Sequence, residues 1–102
     1  MVLDAANLTI QTVNPGYREL YDGRDVNGLS IRDVFVGKDL DKLVKLLKNV
    51  IEDGQSIKSG PLLVSAGELE NNSNRFIHTI VPIVDNNSST VNRLFVYSEK
   101  AE

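Results

Sequence analysis

The stretch Asp39-Leu40-Asp41-Lys42-Leu43-Val44-Lys45-Leu46-Leu47-Lys48-Asn49-Val50-Ile51-Glu52-Asp53-Gly54 decides how the rest of the chain can fold. Leu40, Leu43, Val44, Leu47, Val50 and Ile51 recur at steps of three and four, the spacing that gathers apolar side chains on one face of an α-helix. Asp39 and Asp41 stand in the first turn, where the helix dipole favours negative charge, and Asp41 is spaced to pair with Lys45. Gly54 can adopt the left-handed conformation that ends a helix. Only Glu52 and Asp53 run against this scheme, because they put negative charge at the negative end. A helix with one apolar face needs an apolar surface to lie on.

The sequence on either side supplies that surface as extended segments. Downstream, residues 57–65, 75–84 and 91–97 read as strands, joined by Gly-, Asn- and Ser-rich connections over 67–74 and 85–90. Upstream, Val2-Leu3-Asp4, a turn at Ala5-Ala6-Asn7 and residues 8–13 read as a hairpin, since Thr9, Ile10, Thr12 and Val13 are β-branched. Asn14-Pro15 stops that strand and opens a short helix through Tyr17, Leu20 and Tyr21. Asp22-Gly23 and Asn27-Gly28 mark turns, and Ser30 is placed to cap a second short helix that turns Ile31, Val34 and Phe35 inward.

Two strands, several helices and three strands predict an α+β fold: a five-stranded antiparallel sheet with helices packed on one face and a hollow between the layers. The last strands carry apolar residues on both faces, with Ile77, Ile80, Val81 and Ile83 followed by Leu94, Phe95, Val96 and Tyr97. Their outer face is therefore expected to meet a second copy or a neighbouring domain. The register of 91–97 is ambiguous by one residue, which decides whether Phe95 and Tyr97 or Leu94 and Val96 point inward.

Composition narrows the function. At 102 residues the chain is expected to be one domain, residues 1–102, because halves would have too little interior. A formal net charge of −3 provides no long-range attraction for phosphate backbones or anionic lipid, so neither nucleic acid nor membrane contact is expected. With no cysteine there is no disulfide, no thiolate metal site and no cysteine nucleophile. No apolar run approaches the roughly 20 residues of a spanning helix and no secretory signal is legible at the start, which predicts a cytoplasmic location.

Asn14-Pro15-Gly16-Tyr17 after an extended segment, then Gly28-Leu29-Ser30-Ile31-Arg32-Asp33-Val34-Phe35, the long helix ending in Gly54, and Val81-Pro82-Ile83-Val84-Asp85 follow one another in an order that resembles the PAS family of sensor domains. The likeness runs nearly end to end. It departs in Asn86-Asn87-Ser88-Ser89, where the family usually has a glycine turn, and in Ser98-Glu99-Lys100-Ala101-Glu102, where the family's threonine is replaced by Ala101. The resemblance implies a signal-sensing domain within a larger protein, such as a sensor histidine kinase of a two-component system or a cyclic-dinucleotide enzyme. It implies a pocket for a small apolar or amphipathic ligand lined by Tyr17, Leu20, Phe35, Leu47, Phe76, His78, Ile80 and Tyr97, with Phe95 beside them. It further implies a relay through the C-terminal end, where Glu99 stands near the family's acidic position and a helix follows Tyr97.

The resemblance leaves the cofactor unknown. Haem-binding members use a histidine on the long helix, which has none here, and photosensors with a cysteinyl flavin or chromophore need a cysteine; noncovalent flavin stays open. His78 is the only histidine. It reads as a core-edge histidine hydrogen-bonded to backbone or, less commonly, as a polar anchor in the pocket. No nucleophile-base pair, paired carboxylates or metal-ligand spacing is legible, so the domain itself is expected not to be an enzyme. Asp22, Arg24, Asp25 and Asp33 read as a solvated loop. The alternative function is a ligand-free dimerisation module with a filled core.

Overall fold

The computed structural model describes residues 1–13, 26–66, 75–84 and 90–101. The expected short helix through Tyr17, Leu20 and Tyr21 lies outside the described residues, as do the connections over 67–74 and 85–89. Strand β1 (Val2–Asp4) pairs antiparallel with β2 (Thr9–Thr12), Leu3 facing Ile10 and Asp4 facing Thr9. The turn between them closes with the Leu8 amide donating to the Asp4 carbonyl at 2.8 Å. Its left-handed residue is Leu8, at φ 53°, rather than the turn-favouring Asn7. Leu8 holds that uncommon conformation because its carbonyl accepts from the Ile31 amide at 3.0 Å.

Ser30 caps α1 (Ile31–Val34) as its residue type predicts, its hydroxyl accepting from the Arg32 amide at 3.2 Å. Ile31 and Val34 are buried, and β3 (Phe35–Val36) follows without a break. The periodic stretch forms α2 (Leu40–Asp53), which buries Leu43, Val44, Leu47 and Val50 and is closed by Gly54 at φ 68°. Asp41 pairs with Arg32 at 3.0 Å instead of Lys45. Asp39 makes no side-chain cap; its carboxylate reaches out of the helix to the Leu63 amide.

The expected strand over 57–65 is two shorter ones. β4 (Ile57–Lys58) adds to the main sheet and β5 (Ser65–Ala66) pairs with β3, Phe35 facing Ala66. Between them Gly60 and Pro61 interrupt the ladder, because proline has no amide to donate. The chain touches the sheet once more at Leu62 and then turns away. β6 (Phe76–Val84) and β7 (Val91–Lys100) form the long hairpin, and the sheet order is β2-β1-β7-β6-β4, antiparallel throughout. The fold is thus α+β, with the segments near both ends of the chain side by side in one sheet.

β7 corrects two expectations. It runs three residues past Tyr97, so Ser98, Glu99 and Lys100 are strand where a helix was expected. It also presents Leu94 and Val96 to the core, at 0% and 1% exposure, and turns Phe95 and Tyr97 outward at 36% and 56%. Tyr97 therefore lies on the sheet face opposite the core, not in the expected pocket. The reason is parity: burying Phe95 and Tyr97 would also have turned Arg93 and Glu99 inward, and two unpaired buried charges cost far more than exposing two aromatic rings. Among the described residues no helix is long and apolar enough to cross a membrane.

Gly37 fixes where the start of α2 meets the Leu63-Val64 segment. At φ 143° its backbone passes so close to the Leu63 carbonyl oxygen and the Val64 Cα that a Cβ would collide with both. Gly37→Ala combines that clash with a left-handed alanine and is expected to cost about 2 kcal/mol or more, read as a lower urea midpoint. Gly60→Ala, with open space at its Cβ, should change the midpoint far less.

Candidate functional site

The layer between α2 and the sheet, where the sequence suggested a hollow, is packed with side chains whose burial follows from the two periodicities. Leu47 comes from the helix, Ile80 and His78 from alternate positions of β6, and Phe35 from the start of β3. All four are at most 2% exposed, and the Phe35 ring lies 6.1 Å from the His78 ring at an angle of 51°. Phe76, at the edge, is partly buried. Tyr17 and Leu20 lie outside the described residues, and Tyr97 is on the other face.

His78 is fully buried, and both ring nitrogens are engaged. Nε2 lies 2.9 Å from the Val64 carbonyl and Nδ1 lies 2.7 Å from the Ser98 hydroxyl. A carbonyl oxygen only accepts, so Nε2 carries the proton, and in the neutral ring Nδ1 accepts from Ser98. Burial pushes the His78 pKa below its ordinary 6.5, against the smaller opposing effect of the bond to Val64. The backbone is held as well: the His78 amide donates to the Ser59 hydroxyl at 2.9 Å, and the Ser59 amide donates to the His78 carbonyl at 2.9 Å. The Ser59 hydroxyl donates in turn to the Gly60 carbonyl at 2.8 Å.

One residue before Val64, the Leu63 amide donates to the Asp39 carboxylate at 2.7 Å, and the Asp39 amide donates back to the Leu63 carbonyl at 3.3 Å. The bond from Leu63, more than the nearby Lys42 ammonium, holds the Asp39 carboxyl below the usual carboxylate range against the cost of burial. A polar path therefore runs from the N-terminal end of α2 through Asp39, Leu63, Val64 and His78 to Ser98 near the end of β7. Sequence reasoning found His78 but missed Ser59, Val64 and Ser98. Ser98 could have been read from strand parity, being two residues beyond Val96 and directly opposite His78.

Glu99, the candidate relay residue, lies in β7 opposite Ile77 and reaches Lys58 at 3.8 Å. Both side chains are well exposed, so the pair adds little to stability. Among the described residues no group of three or more His, Cys, Asp or Glu side chains could hold a metal ion. No family model, curated protein or solved structure matches the chain.

His78→Ala opens a cavity and strands the Val64 carbonyl, an expected loss of about 2–4 kcal/mol, whereas Ser98→Ala removes one bond and should cost about 1 kcal/mol. Because the folded His78 binds its proton less readily than the unfolded one, its contribution is complete above pH 6.5 and is lost as pH falls from there through the lower folded value. Urea unfolding across that window should show stability falling with acid in the native chain and a flatter response in His78→Leu.

Proposed function

We propose that this chain is a cytoplasmic signal-sensing domain of PAS type, part of a sensor histidine kinase or related signalling protein. A small apolar or amphipathic ligand would occupy the hollow. The observation that carries this reading is the polar path from α2 through His78 to Ser98, beneath a helix laid across a sheet of order β2-β1-β7-β6-β4. Occupancy of the hollow alters how α2 and the 59–64 segment pack, and the His78 ring passes the shift to the end of β7. A ligand moves that equilibrium only by its difference in affinity for the two arrangements. With both His78 nitrogens engaged by the protein, the ring serves here as a coupling element rather than a ligand anchor. Glu99 is proposed to act from the outer face, where it exchanges between Lys58 and whatever follows β7.

The output partner, a second copy or a neighbouring domain, is proposed to sit on the outer sheet face. Val2, Phe95 and Val81 form one row across β1, β7 and β6, with Phe95 and Val81 at 36% and 39% exposure and Tyr97 beside them at 56%. A second reading, a ligand-free dimerisation module, is favoured by the filling of the inner face by Phe35, Leu47 and Ile80.

Two measurements separate the readings. Native mass spectrometry and melting against a metabolite library should reveal a retained or stabilising ligand; by linkage, one present at a hundred times its Kd adds about 2.7 kcal/mol. Light scattering should show Val81→Glu shifting the chain to monomer while leaving ligand stabilisation intact. A chain that dimerises through Val81 and responds to no ligand is the dimerisation module instead.

A further inference from the structure

The solvent face of α2 is charged in a way that folding does not require. Lys42, Lys45 and Lys48 are all exposed and stand three residues apart, and Lys38, also exposed, precedes the N-cap Asp39. At 3.6 residues per turn the three helical lysines fall within a sector of about 120° and span about 9 Å of axis. Neighbours this close lie within one screening length, about 8 Å in physiological salt, and repel one another. The C-terminal end is reversed as well. Asp41 in the first turn suits the helix dipole, but the last turn holds Glu52 and Asp53 with no basic residue and so opposes it.

The acids nearby leave much of this charge standing. Asp41 is engaged by Arg32 at 3.0 Å and Asp39 by Lys42 at 3.5 Å, while Lys45 and Lys48 have no carboxylate within 4.0 Å among the described residues. Burial is not the cause either, since the apolar face of the helix already meets the core through Leu43, Val44, Leu47 and Val50. A pattern that costs helix stability and packs nothing points to something outside the chain.

We propose that the lysine row of α2 is a docking surface for an acidic helical segment of a protein partner. Carboxylates at i, i+3 and i+6 on such a segment match the lysine spacing, and a helix of a few turns covers the row without meeting the rest of the surface. A nucleic acid or anionic membrane presents charge over a much wider area and would meet the remainder of a chain with net charge −3. The proposal does not depend on the sensory reading, since the row lies on the face of α2 away from the hollow.

The test is an amide NMR titration of the folded chain with a short alanine-rich helical peptide carrying glutamates at that spacing, beside its glutamine counterpart, a short DNA duplex and phosphatidylserine vesicles. Shifts are expected on the exposed positions of α2 with the glutamate peptide alone, weakening about tenfold or more in Lys45→Glu/Lys48→Glu and falling with added salt. Lys45→Gln/Lys48→Gln should melt at or above the native temperature, because it relieves repulsion. Equal shifts with the glutamine peptide, tighter engagement of α2 by DNA or vesicles, no shifts at all, or a marked loss of stability in the glutamine variant would overturn the proposal.

Discussion

The hydrogen bond from the His78 ring to the Val64 carbonyl is the joint on which the layers depend. Gly60 and Pro61 break the third segment of the sheet, and the chain must then cross from β4 to the small pairing with β3. A crossing segment leaves backbone groups without ladder partners, and buried groups of that kind are costly unless something meets them. Here side chains do so: the Ser59 hydroxyl takes the His78 amide, the Asp39 carboxylate takes the Leu63 amide, and the His78 ring takes the Val64 carbonyl. Among the described residues no buried side-chain nitrogen or oxygen lacks a partner.

This arrangement makes the crossing segment a shared wall. One side is tied to the start of α2, where Gly37 permits the backbones to touch, and the other to β6 and β7. A displacement of α2 cannot occur without straining a bond to Leu63, and a displacement there is felt at His78 and Ser98. Coupling of this kind travels through discrete contacts, which is what a domain relaying occupancy to its C-terminal strand would need.

Much of the fold was legible because the decisive signals are local. The steps of three and four fixed α2, Gly54 its end and Ser30 the start of α1, while the β-branched run from Thr9 to Val13 marked the first hairpin. What escaped was the part set by long-range choices. The run at 57–65 has strand composition, yet Gly60-Pro61 and the pull of β3 divide it. The inward parity of β7 could not be chosen from Leu94 to Tyr97, apolar at every position; extending the alternation to Arg93, Ser98 and Glu99 would have settled it. Phe35, Leu47, His78 and Ile80, which the family resemblance implied as pocket residues, are all buried; the polar partners of His78 were not legible, because a backbone carbonyl such as that of Val64 has no signature in sequence.

The central claim is that His78 is neutral and protonated on Nε2, bonded to Val64 while Nδ1 accepts from Ser98. Long-range proton-nitrogen NMR correlation of the labelled ring at neutral pH tests it directly. The account requires a protonated-type signal at Nε2, a bare-type signal at Nδ1 and a slowly exchanging Nε2 proton; a ring protonated at Nδ1 alone, or a doubly protonated ring, would contradict it.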